Sequence, residues 1–94
     1  MYVLRIEHDA ANFDAWKAAF DADPVGRASK GVRRHQILRA DDDTAFVSIE
    51  LTFDTSEDAE SLLAAMQDVW SSVTGSLISA PSIRLFQLAE SRDY

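Results

Sequence analysis

Short stretches of the chain alternate between apolar and polar side chains, and a period of two is typical of half-buried β-strands. The clearest runs from Ala45 to Phe53, where every second side chain is apolar. Three other stretches follow the same pattern less strictly, and polar turns, a glycine or a proline separate them from their neighbours. The four predicted strands span residues 2–8, 32–39, 45–53 and 83–89.

Two further stretches repeat apolar residues at the spacing of a helix face. The first carries Phe13, Trp16 and Phe20 and is expected to end before Pro24, because the residue preceding a proline avoids the α region. The second begins at a capping signature in residues 54–57 and is expected to end at Gly75. Its apolar face consists of Ala59, Leu62, Leu63, Met66, Val69, Trp70 and Val73.

The predicted order is strand, helix, strand, strand, helix, strand, which is the split βαβ or ferredoxin-like pattern of the α+β class. Right-handed crossovers then give a four-stranded antiparallel sheet in the spatial order 4-1-3-2, with both helices on one face. A chain of 94 residues has room for one modest core, and no repeat or linker divides it. We therefore interpret residues 1–94 as a single domain.

Alternation also predicts which side chains of the sheet face the helices. One set is Tyr2, Leu4, Ile6, His8, Val32, Arg34, Gln36, Leu38, Ala45, Val47, Ile49, Leu51, Phe53, Ile83, Leu85, Gln87 and Ala89. The opposite set is Val3, Arg5, Glu7, Arg33, His35, Ile37, Arg39, Phe46, Ser48, Glu50, Thr52, Arg84, Phe86 and Leu88. Thirteen of the 17 residues in the first set are apolar, against five of 14 in the second, so the first set is expected to carry the helices.

The second face still contains three large apolar side chains, Phe46, Phe86 and Leu88. An exposed apolar patch of this kind usually marks an interface. A mixed aromatic and polar face also suits a sheet that meets another sheet through paired charges and water. The charged side chains placed to pair on it are Arg5, Glu50 and Arg84. The alternative is a solvated sheet face with a few exposed aromatics, which is common in antiparallel sheets.

Acidic residues outnumber basic ones by 16 to nine, which gives a net charge of −7. Such a chain repels phosphate backbones and anionic lipid, so neither nucleic acid nor a membrane is expected as a partner. Cysteine is absent, which excludes thiol catalysis, disulfides and thiolate metal sites. The sequence shows no basic leader and no long apolar segment, and the expected location is cytoplasmic.

No motif in the sequence indicates a metal ion or an organic cofactor. The three aspartates at 41–43 lack the alternating ligands and the glycine of a calcium loop, so they predict a solvated turn. The two histidines are far apart, and there is no glycine-rich phosphate loop and no Gly-x-Ser-x-Gly motif. We therefore expect neither a metal site nor a bound cofactor.

Three motifs carry a resemblance to a known superfamily. They are Phe13-x-x-Trp16-Lys17-x-x-Phe20 on the first helix, Gly31-Val32 at the second strand, and Arg39-Ala40-Asp41-Asp42 before the valine-rich third strand. With the order of elements, they resemble the dimeric α/β-barrel superfamily, and within it small antibiotic biosynthesis monooxygenase-like proteins. The resemblance implies a homodimer whose two sheets pack face to face. It also implies a ligand cavity in each subunit, between the sheet and the helices.

Members of this superfamily include cofactor-independent oxygenases, haem-degrading enzymes and polyketide cyclases. The haem-degrading members use an Asn on the first strand and a His shortly after a Trp of the second helix. This chain offers Trp70 but neither of the other two residues, so haem degradation is not expected. The resemblance implies a monooxygenase-like protein without a cofactor, which acts on an aromatic or polyketide-like molecule by base-assisted oxygenation or by cyclisation.

Four side chains are candidates for such a site. His8 ends the first strand on the helix-facing side, at the expected mouth of a cavity, and is the candidate base. The candidates for orienting the substrate are Tyr2, Trp70 and Arg34.

Each candidate also has a structural interpretation. His8 can help to cap the following helix, and His35 can be a structural or exposed imidazole. Core packing alone explains Trp16 and Trp70. Arg34 can pair with an acid, which a buried cation requires. The corresponding alternative for the whole protein is a non-catalytic dimeric module that binds a ligand or has a structural role, because this fold serves unrelated functions.

Overall fold

The computed structural model describes residues 1–73 and 77–94, and in them it contains four strands and two helices. The elements are β1 (Tyr2–Asp9), α1 (Phe13–Asp21), β2 (Val32–Arg39), β3 (Phe46–Phe53), α2 (Ser56–Val73) and β4 (Ser82–Gln87). The strands form one antiparallel sheet in the order β2-β3-β1-β4. The predicted ferredoxin-like fold and strand order are therefore confirmed. The predicted end of α2 at Gly75 lies outside the described residues.

Side-chain caps account for the start of each helix. The side chain of Asn12 accepts a hydrogen bond from the Ala15 N–H at 3.0 Å, which satisfies one of the free donors of the first turn of α1. At α2 the corresponding acceptor is Thr55 Oγ1, 3.2 Å from the Asp58 nitrogen. The capping signature is thus one residue later than the sequence predicts, because the Asp54 carboxylate instead binds Arg33.

The segment between α1 and β2 turns sharply at residues that tolerate a left-handed backbone. Asp23 has φ +51°, a conformation that Asp adopts more readily than most side chains, and Gly26 has φ +68°. Gly31 has φ +95°, and a Cβ there would lie 2.7 Å from the Asp58 carboxylate. The turn therefore requires glycine at its end and brings β2 back beside the start of α2.

The core lies between one face of the sheet and the two helices. Its largest fully buried side chains are Phe53, Leu4, Ile6, Leu51, Leu62 and Val47. From the helices, Trp16, Phe20 and Trp70 complete the cluster. Burying each large side chain contributes about 1.5–3 kcal/mol to stability. On β1, β3 and β4 the side chains that contribute this free energy lie on the face that alternation predicts to carry the helices.

The prediction for β2 is wrong beyond its first residue. Val32 pairs with Phe53 and the next paired residue, Arg34, lies opposite Thr52, so Arg33 is an extra residue in a β-bulge. Strict alternation assumes a regular ladder, and one inserted residue transfers every later side chain to the other face. The side chains that face the helices are therefore His35, Ile37 and Arg39. Those on the free face are Arg34, Gln36 and Leu38.

The corrected register makes a direct prediction. Ile37 packs against the core, whereas Leu38 is 46% exposed on the opposite face. We expect Ile37→Ala to lower the free energy of unfolding by about 2 kcal/mol and Leu38→Ala by less than about 0.5 kcal/mol, measured by urea denaturation at a protein concentration low enough for the chain to be monomeric. The reverse order of the two losses would contradict the bulge and restore the uninterrupted alternation.

Candidate functional site

A small apolar cavity lies between the second half of α1, the second half of α2 and the loops beside them. Its volume is about 60 Å³. The lining residues are Trp16, Ala19, Phe20, Pro24, Val25, Arg27, Met66, Val69, Trp70, Leu77 and Ile78. None of them belongs to β1–β4, so this cavity lies between the helices, whereas the resemblance implies one between the helices and the sheet. Its walls suit an apolar or aromatic ligand.

The size of the cavity limits what it can hold in this conformation. Ligand pockets in proteins commonly measure about 300–1,000 Å³, whereas a water molecule needs about 10–15 Å³ of such space. The cavity of about 60 Å³ has room for a few waters or a small fragment. A flat polycyclic molecule therefore requires α1 and α2 to move apart or a wall residue to turn aside.

Three aromatic rings follow one another along the buried face of α1. The centroid distances are 5.5 Å between Phe13 and Trp16 and 5.3 Å between Trp16 and Phe20. The row meets an imidazole at each side, with His8 at 5.5 Å from Trp16 and His35 at 5.2 Å from Phe20, both edge to face. These separations are in the favourable range for aromatic pairs, so the row fixes α1 to both β1 and β2.

His8 is 4% exposed and is a buried polar residue of the core. Burial lowers the pKa of its imidazole below the ordinary 6.5, and the Asp9 carbonyl and carboxylate only partly oppose this shift. Nδ1 lies 3.2 Å from the Asp9 carbonyl oxygen. In the neutral tautomer that donates this bond, the proton is on Nδ1 and the lone pair is on Nε2. His8 is therefore in the protonation state of a base at neutral pH.

The Nε2 atom of His8 remains accessible. No hydrogen-bond partner holds it among the described residues. Within the same residues no side-chain nitrogen or oxygen is both sealed from solvent and unpartnered, so Nε2 keeps a small contact with solvent although His8 is 4% exposed. His8 does not line the cavity, whereas Trp16 contacts both the cavity and the His8 ring. The candidate base thus lies one side chain behind the cavity rather than at its mouth.

The structure does not bring the four candidate residues together. Trp70 lines the cavity, as a substrate-orienting residue must. Tyr2 lies at the other end of β1 from His8, and the five strand residues between them span roughly 20 Å. Arg34 lies on the free face because of the bulge. Tyr2 and Arg34 therefore share no small-molecule site with His8.

Arg27 is a cavity residue that the sequence analysis did not single out. Its side chain is only 13% exposed, and its guanidinium carbon lies 3.7 Å from the centre of the Phe20 ring. Nη1 donates to the Phe20 carbonyl at 2.9 Å and is 3.5 Å from the Asp23 carboxylate. The periodicity of apolar residues does not indicate Arg27, because a loop rather than a helix or strand determines its position. The turn signal Asp23-Pro24 before it is the one indication in the sequence.

The described part of the chain contains no cluster of three or more His, Asp or Glu side chains that can hold a metal ion. Asp43 accepts a hydrogen bond from the Ala45 N–H at 3.2 Å, as expected for a residue that stabilises a turn. Within residues 1–73 and 77–94, neither helix is both long and apolar enough to cross a membrane.

No family model matches the sequence, and no curated protein matches it. Among solved structures, the cofactor-independent oxygenase SnoaB from Streptomyces nogalater is 14% identical over 96% of this chain and 94% of that one, with a TM-score of 0.78. A protein from Nitrosomonas europaea, provisionally described as an antibiotic biosynthesis monooxygenase, is 18% identical over 96% and 100%, with a TM-score of 0.73. A dimeric ferredoxin-like protein from an uncultured marine organism is 8% identical over the whole of both chains, with a TM-score of 0.71.

Identities this low show a shared fold. The chain has the fold of antibiotic biosynthesis monooxygenase-like, dimeric ferredoxin-like proteins, and the resemblance that the sequence carries is confirmed at that level.

The burial of His8 predicts a dependence of stability on pH. Because the folded state binds the His8 proton less readily than the unfolded state, the His8 contribution is present above about pH 6.5 and is lost as the pH falls through the lowered pKa. We expect an NMR titration of the His8 ring to have its midpoint below 6.5. The free energy of unfolding should fall less steeply with decreasing pH in His8→Gln than in the wild type. A His8 midpoint at or above 6.5 would contradict the burial of a neutral imidazole.

Proposed function

We propose that the chain is a small homodimeric, cofactor-independent monooxygenase-like enzyme that acts on an aromatic or polyketide-like molecule. The observation that carries the proposal is the apolar cavity walled by Trp16 and Trp70, with a neutral His8 directly behind Trp16. The fold supports it, because the solved structure with a TM-score of 0.78 is a cofactor-independent oxygenase.

The chemistry needs only a base and an acidic substrate. His8 Nε2 accepts a proton from an activated CH₂ group of a phenolic ring system, and the resulting carbanion transfers electrons to molecular oxygen. The peroxide that forms on this carbon then loses water. The balance is one CH₂ group and one O₂ giving one carbonyl and one water, so the substrate is the reductant and the His8 proton is returned. No step requires a metal ion or a flavin.

Trp16 is the residue that must move in this mechanism. It separates His8 from the cavity, and its ring is only 6% exposed. A substrate ring that takes the place of the Trp16 ring would stack on Trp70 and lie against His8. The binding energy then has to offset the loss of the Trp16 contacts, which favours a large, flat apolar substrate.

Anthrone is a suitable probe, because its CH₂ group becomes the carbonyl of anthraquinone. We expect anthrone to quench the tryptophan fluorescence of the wild type and to consume one O₂ per anthraquinone formed. His8→Gln should bind anthrone but lose at least about a hundredfold in rate, the usual loss on removing a general base. His35→Gln removes the imidazole at the other end of the aromatic row, beside Phe20. It is the matched control and should keep the wild-type rate. An unchanged rate in His8→Gln would exclude His8 as the base.

A second candidate function is a non-catalytic dimeric module that binds a small ligand or has a structural role. The observation that favours it is the small cavity, which Trp16 and its neighbours largely fill and which His8 does not reach. The anthrone experiment separates the two functions. If anthrone quenches the fluorescence but neither the wild type nor any variant takes up oxygen, a binding module is supported. If anthrone causes no quenching and no oxygen uptake, a structural role is supported.

The free sheet face supports the homodimer. Three apolar residues on or beside it, Met1, Leu38 and Leu88, are 54%, 46% and 41% exposed.

The charged side chains of the same face are partly paired. Arg5 forms a salt bridge with Glu50 at 2.6 Å and lies 4.9 Å from the centre of the Phe86 ring, which leaves Arg84 unpaired among the described residues. The charged residues that the strands place on this face are Arg5, Arg34, Arg84, Glu7, Asp9 and Glu50. Their charges cancel in a chain of net charge −7, so two copies can meet there without strong repulsion.

Light scattering tests the dimer directly. We expect a mass of twice the 10.5 kDa chain at micromolar concentration. Leu38→Asp places a charge on the free sheet face, within the proposed interface, and should shift the protein to the monomer, because a buried unpaired carboxylate is costly. Ala64→Asp adds the same charge on the exposed side of α2 and should leave the dimer intact. A wild-type monomer at all concentrations would exclude the sheet-to-sheet association.

A further inference from the structure

The loop after α1 holds Arg27 rigidly against the cavity. The Arg27 N–H donates to the Asp23 carboxylate at 2.9 Å, and the Arg27 carbonyl accepts from the N–H groups of Lys30 and Val32, each at 3.1 Å. Its guanidinium carbon lies over the Phe20 ring, 3.7 Å from the centroid. Both the backbone and the side chain of this residue are therefore fixed before any ligand arrives.

Most hydrogen-bonding capacity of this guanidinium is unused. A guanidinium has five N–H donors, and among the described residues only the Phe20 carbonyl accepts from Arg27. The Asp23 carboxylate, at 3.5 Å, is too distant for a strong charge-assisted bond, which is commonly about 2.7–2.9 Å. Among the described residues, every side-chain nitrogen that lacks a hydrogen-bond partner keeps some contact with solvent. The remaining N–H donors of Arg27 therefore have such contact, although its side chain is only 13% exposed.

Arg27 belongs to two adjoining hollows of the surface. It lines the apolar cavity beside Phe20 and also an open depression of about 240 Å³ where β2 begins. Arg33, Arg34 and Asp23 line the same depression, and Arg33 is already paired with Asp54 at 2.8 Å. Three guanidinium groups against these two carboxylates leave an excess of positive charge there, which attracts anions although the chain has a net charge of −7.

We propose that Arg27 anchors the carboxylate of an aromatic carboxylic acid whose ring lies against Phe20 and Trp70 in the cavity, enlarged by the movement of Trp16. The inference rests on the proposed function in using the same cavity and the same movement, and it names the class of ligand. A carboxylate matches the planar fork of a guanidinium with two parallel hydrogen bonds, and the aromatic ring continues the apolar wall on which the guanidinium already stacks. Arg27 thus lies where the two parts of such a ligand join.

The negative charge of Asp23 opposes the binding of a ligand carboxylate at Arg27, so its removal should increase the affinity. Its carboxylate is the nearest negative charge to the guanidinium, and its structural tasks are to accept the Arg27 N–H and to adopt φ +51°. Asn can do both without the charge, since its amide oxygen accepts hydrogen bonds and it tolerates the left-handed region. Asp23→Asn should therefore keep the loop and bind the carboxylate more tightly.

The probes are 2-naphthoate and 2-naphthamide, which share ring and shape but differ in charge, with binding measured by titration calorimetry. We expect the wild type to bind naphthoate at least about tenfold more tightly than naphthamide, as a fixed guanidinium allows. Arg27→Gln should bring the ratio close to one while the affinity for naphthamide stays within about twofold of the wild type. Asp23→Asn should raise the naphthoate affinity by about threefold or more without changing that for naphthamide. Arg92→Gln, which removes a positive charge from a residue that lines neither hollow, is the control and should keep the wild-type ratio.

Equal binding of the two probes by the wild type would overturn the anchor while leaving the cavity as a binding site. A wild-type ratio that survives in Arg27→Gln would do the same. Binding of neither probe would overturn this inference together with the ligand cavity. If Arg27→Gln fails to fold, the Asp23→Asn variant decides, because an unchanged naphthoate affinity there contradicts a carboxylate held by Arg27. Phosphate added as a competitor should displace naphthoate but not naphthamide.

Discussion

The packing of Trp16 beneath α1 is the contact on which both the fold and the candidate site depend. Its ring meets Phe13, Phe20 and His8 at centroid distances of 5.3–5.5 Å, and so joins the helix to β1. Burying a side chain of this size contributes a few kcal/mol, a large share of the stability of a small domain. The same ring occupies the space between the cavity and the base. Stability and access to His8 therefore compete for one residue, which explains why the cavity is small in this conformation.

Periodicity predicted the elements and their order well, because the spacing of apolar residues directly reflects which face is buried. Ala45 to Phe53 became β3 with only its first residue missing, and the buried side of α1 carries Trp16 and Phe20 as predicted. The prediction of which β2 side chains face the helices was wrong because of Arg33. This extra residue is polar, and the alternation of apolar and polar residues around it still looks regular in the sequence. The burial of Trp70 on the apolar face of α2 was predictable because the period of the helix fixes it. Arg27 was missed because backbone turns at Asp23 and Gly26 fix it, and these have no periodicity.

The likeness to solved structures illustrates how little of a site a fold determines. A TM-score of 0.78 at 14% identity means that the backbone path persists while nearly all side chains are exchanged. The packing of helices on a sheet requires only apolar residues of suitable size, whereas chemistry requires particular groups in particular places. For this chain the groups that we propose are His8, Trp16, Arg27 and Trp70, and the proposed function depends on them rather than on the strand order.

The bulge at Arg33 has a consequence for how the chain avoids aggregation. β2 is an edge strand, and an edge with a regular row of free N–H and C=O groups is a template on which further chains can add. The bulge interrupts that row near its start, and the adjacent arginines add exposed charge to the same edge. A second chain that approached along β2 would find donors and acceptors out of step and would have to desolvate two cations. One extra residue thus protects the sheet from fibrillar growth at this edge.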